Sequence, residues 1–280
     1  MGCFIPPGSV CVLVPTRTLS TWLREGLVDF VVPVLYRSFI LDSDMPIDWL
    51  LDAAHEHDIS VYPMLQPFFT DESRPDSPRL NATPEMMRAA AANFYEKGAD
   101  GLYTWMMNWP LGDGERRILA EVGDRERVKE GNKHYFLRRH CEAAEEFDYP
   151  AYLPLKIAAA DPDASYQIPF FIGDDMENDR IARVQLHMGV TNLLTSHRLE
   201  VRLNGQALSG EVCRRKYSWL GDPYMGQGLE FELSGVWPRQ GRNLLEVVLR
   251  EQPARFDGNI VIEDVEIIVE YGPYPVVRGG

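Results

Sequence analysis

The chain has 280 residues, 45% of them hydrophobic and 25% charged; this is ordinary globular composition, with room for one large domain or two of common size. Its formal net charge of −14 repels phosphate backbones, and the only short cationic run is Arg214-Arg215-Lys216, so no nucleic-acid partner is expected. No run of about 18 apolar residues marks a membrane span, and the uncharged, proline-interrupted start MGCFIPPGSVCVLVP is a poor export signal, so the chain as written reads as cytoplasmic.

The first half alternates strand and helix patterns. VCVLVP, ending at residue 15, reads as a strand, and Leu19 to Glu25 as a short helix closed by Gly26. DFVVPVLY (29–36) is a near-continuous apolar run, the pattern of a strand buried on both faces. Residues 46–57 place Ile47, Leu50, Leu51 and Ala54 at helical spacing, and SVYPMLQPFF (60–69) is the next strand. The clearest helix follows. Thr83 is a good N-cap, Pro84 suits the first helical position, Glu85 faces the positive end of the dipole, and Gly98 sits where a left-handed C-cap belongs. Asp100 then leads into GLYTWMM, so this half predicts βα repeats and a parallel sheet.

After Gly114 a highly charged stretch predicts one or two surface helices. From about Tyr152 the periodicity becomes two: RVQLHMGV, HRLEVRLNG, LEFELSG, NLLEVVLRE and IVIEDVEIIVEY are separated by turns such as Asn204-Gly205 and Arg239-Gln240-Gly241. At least five such strands predict an antiparallel β-sandwich. The domain division expected is 1–148 and 149–280, where EEFDYPAY shifts from charge to proline and tyrosine.

In a parallel βα array, working residues lie at the carboxyl ends of strands and in the following loops. Those positions hold Tyr36, Arg37, Asp42 and Asp44, then Gln66 and Glu72, then Trp105, Asn108 and Trp109. Rings stack on the flat faces of sugars, while amides, carboxylates and guanidinium groups take their hydroxyls. Hydrolysis of a glycosidic bond further needs two carboxyls roughly 5–9.5 Å apart. Asp42, Asp44 and Glu72 are the candidate catalytic carboxyls; Tyr36, Arg37, Gln66, Trp105, Asn108 and Trp109 are the candidate binding wall. Each has a structural alternative: Trp105 as core, Asp42 and Asp44 as caps, Glu72 as a solvated loop residue.

In the second half, Asp174, Asp175, Glu177 and Asp179 cluster in IGDDMENDR. That cluster reads as a solvated turn or as an oxygen-rich calcium loop without EF-hand spacing. Arg214, Arg215, Tyr217, Trp219 and Tyr224 mark a candidate ligand-binding edge. Cys3, Cys11, Cys141 and Cys213 form no CxxC, the histidines form no HExxH, and no phosphate-cradling glycine loop occurs. No cofactor and no metal site are expected.

TWLREGLVDFVVPVLY, VYPMLQP and TPEMMRAAAANFYEKGADGLYTWMMNW resemble the last strands of bacterial glycosyl-hydrolase-like proteins with a (β/α)8 barrel. GERRILAEVGDRERVKEGNKHYF resembles the extension after their last barrel strand, and the C-terminal strands are similar to the β-domain that they append. The resemblance implies an α/β plus all-β fold: the last strands of a (β/α)8 barrel, then an antiparallel β-sandwich. It implies a glycoside hydrolase lineage acting on or binding carbohydrate. A full barrel needs about 250 residues and eight strands, so the chain reads as the back part of a hydrolase. The alternative is a non-catalytic carbohydrate-binding protein whose half-barrel is completed by oligomerisation at the strand edge near residues 12–14.

Overall fold

The computed structural model describes residues 2–4, 11–13, 16–34, 40–69, 80–104, 111–137, 151–158, 164–219, 225–256 and 258–276. The chain divides into two units, residues 1–129 with 140–151, and residues 130–139 with 152–280.

The first unit contains strands β1 (Gly2–Phe4) and β2 (Cys11–Leu13), helix α1 (Thr16–Arg24), β3 (Phe30–Val34), α2 (Asp48–His55), β4 (Ser60–Val61), β5 (Met64–Leu65), β6 (Phe68–Phe69), β7 (Leu80–Asn81), α3 (Pro84–Glu96), β8 (Tyr103–Thr104), α4 (Asp113–Val122) and α5 (Arg125–Val128). The α3 helix forms as its caps dictate: the Thr83 hydroxyl accepts from the Met86 N–H, and Gly98 takes φ +105°. Its alanine-rich body is buried, and Arg88, 1% exposed, reaches Glu121 of α4 at 2.6 Å.

The expected partial (β/α)8 barrel is not what these residues build. The structure as a whole is 41% strand and 22% helix, its sheets are mainly antiparallel, and it has no (β/α)8 barrel features. β1 pairs antiparallel with both β2 and β3, in the sheet order β2-β1-β3-β4. Parallel pairing between described strands is confined to two residues each in β3–β4 and β5–β8, whereas every longer ladder is antiparallel. The physical reason lies in β3. A continuous apolar run reports burial of both faces and carries no information about strand direction. The N-terminal strand fills the place beside β3 that a parallel neighbour would occupy in a barrel. With no barrel to complete, the strand edge near residues 12–14 loses the role inferred for it, although β2 does end its sheet.

The second unit is made of β9 (Lys133–Phe136), β10 (Leu155–Ile157), β11 (Ser165–Ile172), β12 (Ile181–Thr191), β13 (Arg198–Leu203), β14 (Gln206–Ala207), β15 (Val212–Trp219), β16 (Met225–Leu233), β17 (Gly241–Glu251) and β18 (Ile260–Tyr271). They form two antiparallel sheets, β10-β18-β12-β16-β15 and β11-β17-β13-β14. Side chains alternate as a half-buried strand requires: Val184, Leu186, Met188 and Val190 of β12 are buried, and the residues between them are less so. This β content agrees only loosely with the sandwich expected after residue 149. Asn204 and Gly205, both at positive φ, join β13 to β14 as a two-residue hairpin turn.

Residues 133–136 were expected within a helical extension of the first half. They form β9 instead, pairing with Glu266 to Val269 of β18. Beside this strand the Lys133 ammonium lies 2.6 Å from the Asp174 carboxylate, both side chains essentially without solvent exposure. The Tyr271 hydroxyl donates to the same carboxylate at 2.9 Å, and Lys133 stands 4.5 Å from the Tyr271 ring centre. Burial pushes the Asp174 carboxyl up, while Lys133 and then Tyr271 pull it down. Removing one partner of such a pair strands the other charge without water. Lys133→Met is expected to cost about 3–5 kcal/mol, and Asp174→Asn added to it should recover part of the loss; urea unfolding of the three proteins checks this.

Candidate functional site

Of the residues expected from the sequence, Tyr36, Arg37, Glu72, Trp105, Asn108 and Trp109 lie outside the described residues. Asp42, Asp44 and Gln66 are described, and each is built into the first unit. Asp42 is 3% exposed and accepts from the Asp44 N–H at 2.9 Å, a local turn cap. Asp44 pairs with Lys97 at 2.6 Å, and Lys97 also donates to the Met45 carbonyl. The buried Asn93 amide donates to the Ser43 carbonyl, so residues 43–45 are held by α3 and the residue that follows it. Gln66 is fully buried. A cavity of about 280 Å³ in the same unit is walled largely by Pro67, Ala82, Pro84, Met87 and Ile118. Its one threonine hydroxyl, that of Thr83, already caps α3.

A richer constellation lies in the second unit, where the loop after β11 meets the loop between β16 and β17. Asp175, Glu177, Trp237, Arg239 and Gln240 line an open groove of about 540 Å³. Trp237 is half-buried, and Glu177 is exposed.

Three buried polar groups hold this rim. Glu211, 9% exposed, accepts from the backbone N–H groups of Ser234, Gly235 and Val236 at 2.7 Å each, and from the Ser234 hydroxyl at 2.8 Å. Successive backbone donors around one carboxylate fix the residues leading into Trp237. Asn243, 4% exposed, fixes the residues leading out: its carbonyl oxygen accepts from the Arg239 N–H, and its amide donates to the carbonyls of Arg239 and Gly241. Asn204 joins by donating to the same Asn243 oxygen at 2.8 Å. The third group is Asp174, whose pairing with Lys133 and Tyr271 anchors the start of the acidic loop. Within that loop Asp175 accepts from the Glu177 N–H, and the Asn178 side chain from the Arg180 N–H. The Gln240 amide spans the groove to the Gly173 carbonyl at 3.4 Å.

Asp174 therefore answers a buried ammonium rather than solvent. Asp175 holds its own turn, and the Glu177 carboxylate of the groove makes no bond to any described residue. No group of His, Cys, Asp and Glu among the described residues has metal-binding geometry. The sequence reading took Arg239-Gln240-Gly241 as a turn and passed over Trp237 before it. The available signal was a bulky indole in a connection between two alternating strands, where small polar residues are the rule.

No family model matches the chain, and no curated protein matches it. No described helix is long and apolar enough to cross a membrane.

Burial raises the Glu211 carboxyl, but the donors of Ser234, Gly235 and Val236 outweigh it and leave the group below its ordinary value of 4.5. A carboxyl depressed in the fold stabilises fully above its unfolded value, and that contribution is lost as pH falls through the folded one. Glu211→Gln should cost about 1–3 kcal/mol near neutrality. The gap to the parent should narrow steadily below the ordinary carboxylate value, as read from urea midpoints across that pH range.

Proposed function

We propose that the protein binds carbohydrate, through the groove around Trp237, and does not cleave it there. One observation carries this reading: a half-buried indole on a loop pinned at both ends, facing a carboxylate, a guanidinium and an amide across about 540 Å³. An indole offers an apolar platform for the C–H face of a pyranose ring. Glu177, Arg239 and Gln240 are spaced around it to exchange hydrogen bonds with ring hydroxyls. Because the loop is fixed before the ligand arrives, little ordering entropy is charged against binding. A neutral sugar is also indifferent to the chain's net charge of −14.

Binding is favoured over hydrolysis by the fate of the carboxyls. Glycoside cleavage needs a paired acid and base or nucleophile. At the groove the acidic side chains are Asp175, which accepts from the Glu177 N–H in its own turn, and Glu177.

The test is isothermal titration of the full chain with neutral gluco-, xylo- and manno-oligosaccharides. Saturable binding to at least one of them is expected. Trp237→Ala should weaken it about tenfold or more, from the loss of stacking and of buried apolar area. If no sugar binds, or if Trp237→Ala binds as well as the parent, the reading fails.

A further inference from the structure

A second cavity of the same unit, sharing no residue with the Trp237 groove, has a different chemistry. It has a volume of about 480 Å³ and lies where β13 of one sheet and β15 and β16 of the other meet. Cys213 and Arg215 stand opposite Phe231 and Leu229 in the β15–β16 ladder. Directly opposed residues project to the same side of a sheet. Phe231 and Leu229 are buried, so Arg215 leaves its edge strand on that same side and, itself exposed, borders the cavity.

Arg215 forms no ion pair or hydrogen bond with any described residue. The acidic residues of the same cavity are already answered. Glu200 accepts from the guanidinium groups of Arg202 and Arg250, and Glu211 is enclosed by the donors of residues 234–236. Arg198, also at the cavity, pairs with Glu251. Among the described residues, one guanidinium of the cavity is left uncompensated.

The second group is His197, 5% exposed and also lining the cavity. Its Nδ1 accepts from the Leu194 N–H at 2.9 Å, and its ring stands edge-on to Phe256 at 4.6 Å. With Nδ1 an acceptor, the neutral ring carries its proton on Nε2. That Nε2 is buried and has no partner among the described residues. Burial, then the Arg215 charge, hold the imidazole below its ordinary value, so the ring is a neutral donor near pH 7. A buried donor left unanswered costs about 1–3 kcal/mol, which an oxygen acceptor in the cavity would recover.

We propose that this cavity binds a monocarboxylate with an apolar body, its two oxygens taken by the Arg215 fork and the His197 Nε2–H. A single positive charge beside a neutral donor matches one negative charge, and the planar fork matches a carboxylate. Leu199, Leu229 and Phe231 supply the wall for the apolar part. The competing account is that Arg215 is an inward charge that keeps an edge strand from pairing with another chain.

The experiment titrates the full chain with octanoate, benzoate, glucuronate and sulfate by calorimetry, and follows the histidine Nε2–H resonances by NMR. Octanoate or benzoate should bind at one site and shift the His197 Nε2–H signal. Arg215→Gln should weaken that binding about tenfold or more with the melting temperature unchanged, because Arg215 is exposed and makes no bond to any described residue. Arg215→Lys should retain part of the affinity, and Trp237→Ala should leave it intact. Absence of carboxylate binding up to about 10 mM, or equal binding by Arg215→Gln, overturns the proposal. Preference for glucuronate overturns the apolar body, and sulfate binding as tightly as octanoate overturns the carboxylate. Self-association of Arg215→Gln without ligand binding by the parent supports the edge-protection account instead.

Discussion

The second unit holds β9 against β18 beside a charge pair that water does not reach. Asp174 and Lys133 sit 2.6 Å apart with side-chain exposures of 1% and 0%. Desolvating both ions costs several kcal/mol each, and only close geometry with further hydrogen bonds offsets it. The structure supplies those bonds: Tyr271 donates to Asp174, and Lys133 donates to the Gly131 carbonyl. Asn132 accepts from the Tyr271 N–H, so three consecutive residues, 131 to 133, are tied to the end of β18 or to each other. A segment far from the remaining strands in sequence is thereby made part of their sheet.

The same device recurs wherever the unit must hold an irregular backbone. Loops leave peptide groups that no ladder satisfies, and buried peptide groups must find partners. Glu211 answers three N–H groups ahead of Trp237, and Asn243 answers the backbone of Arg239 and Gly241 behind it. Side chains that would be costly to bury alone become inexpensive when each of their atoms is matched. The outcome is an aromatic side chain, Trp237, on a connection held at both ends. Matching is incomplete elsewhere among the described residues: His197 Nε2, His187 Nε2, the Tyr135 hydroxyl and one Asp174 oxygen are buried without a partner.

The first unit illustrates a different balance. Its loop after β3 carries the two aspartates that looked most like catalytic carboxyls, and both serve the fold. A carboxylate's partner, not its residue type, decides whether it is available. Lys97, the partner of Asp44, lies just beyond α3, and no local pattern links them.

What the sequence by itself determined is what depends on near neighbours. The Thr83-Pro84 start and Gly98 end of α3, the two-residue spacing of the later strands, and the Asn204-Gly205 turn all follow from local backbone preferences and are all present. Tertiary structure alone decided what depends on distant ones. It set the direction in which β3 is paired, the recruitment of residues 133–136 into the β18 sheet, and the burial of Asp174 against Lys133. An apolar run specifies that a strand is buried but not its neighbour or direction, because each side chain meets the same apolar surroundings either way. A charged residue likewise specifies its cost of burial but not its partner, and here the partners are supplied by segments that only the folded chain brings together.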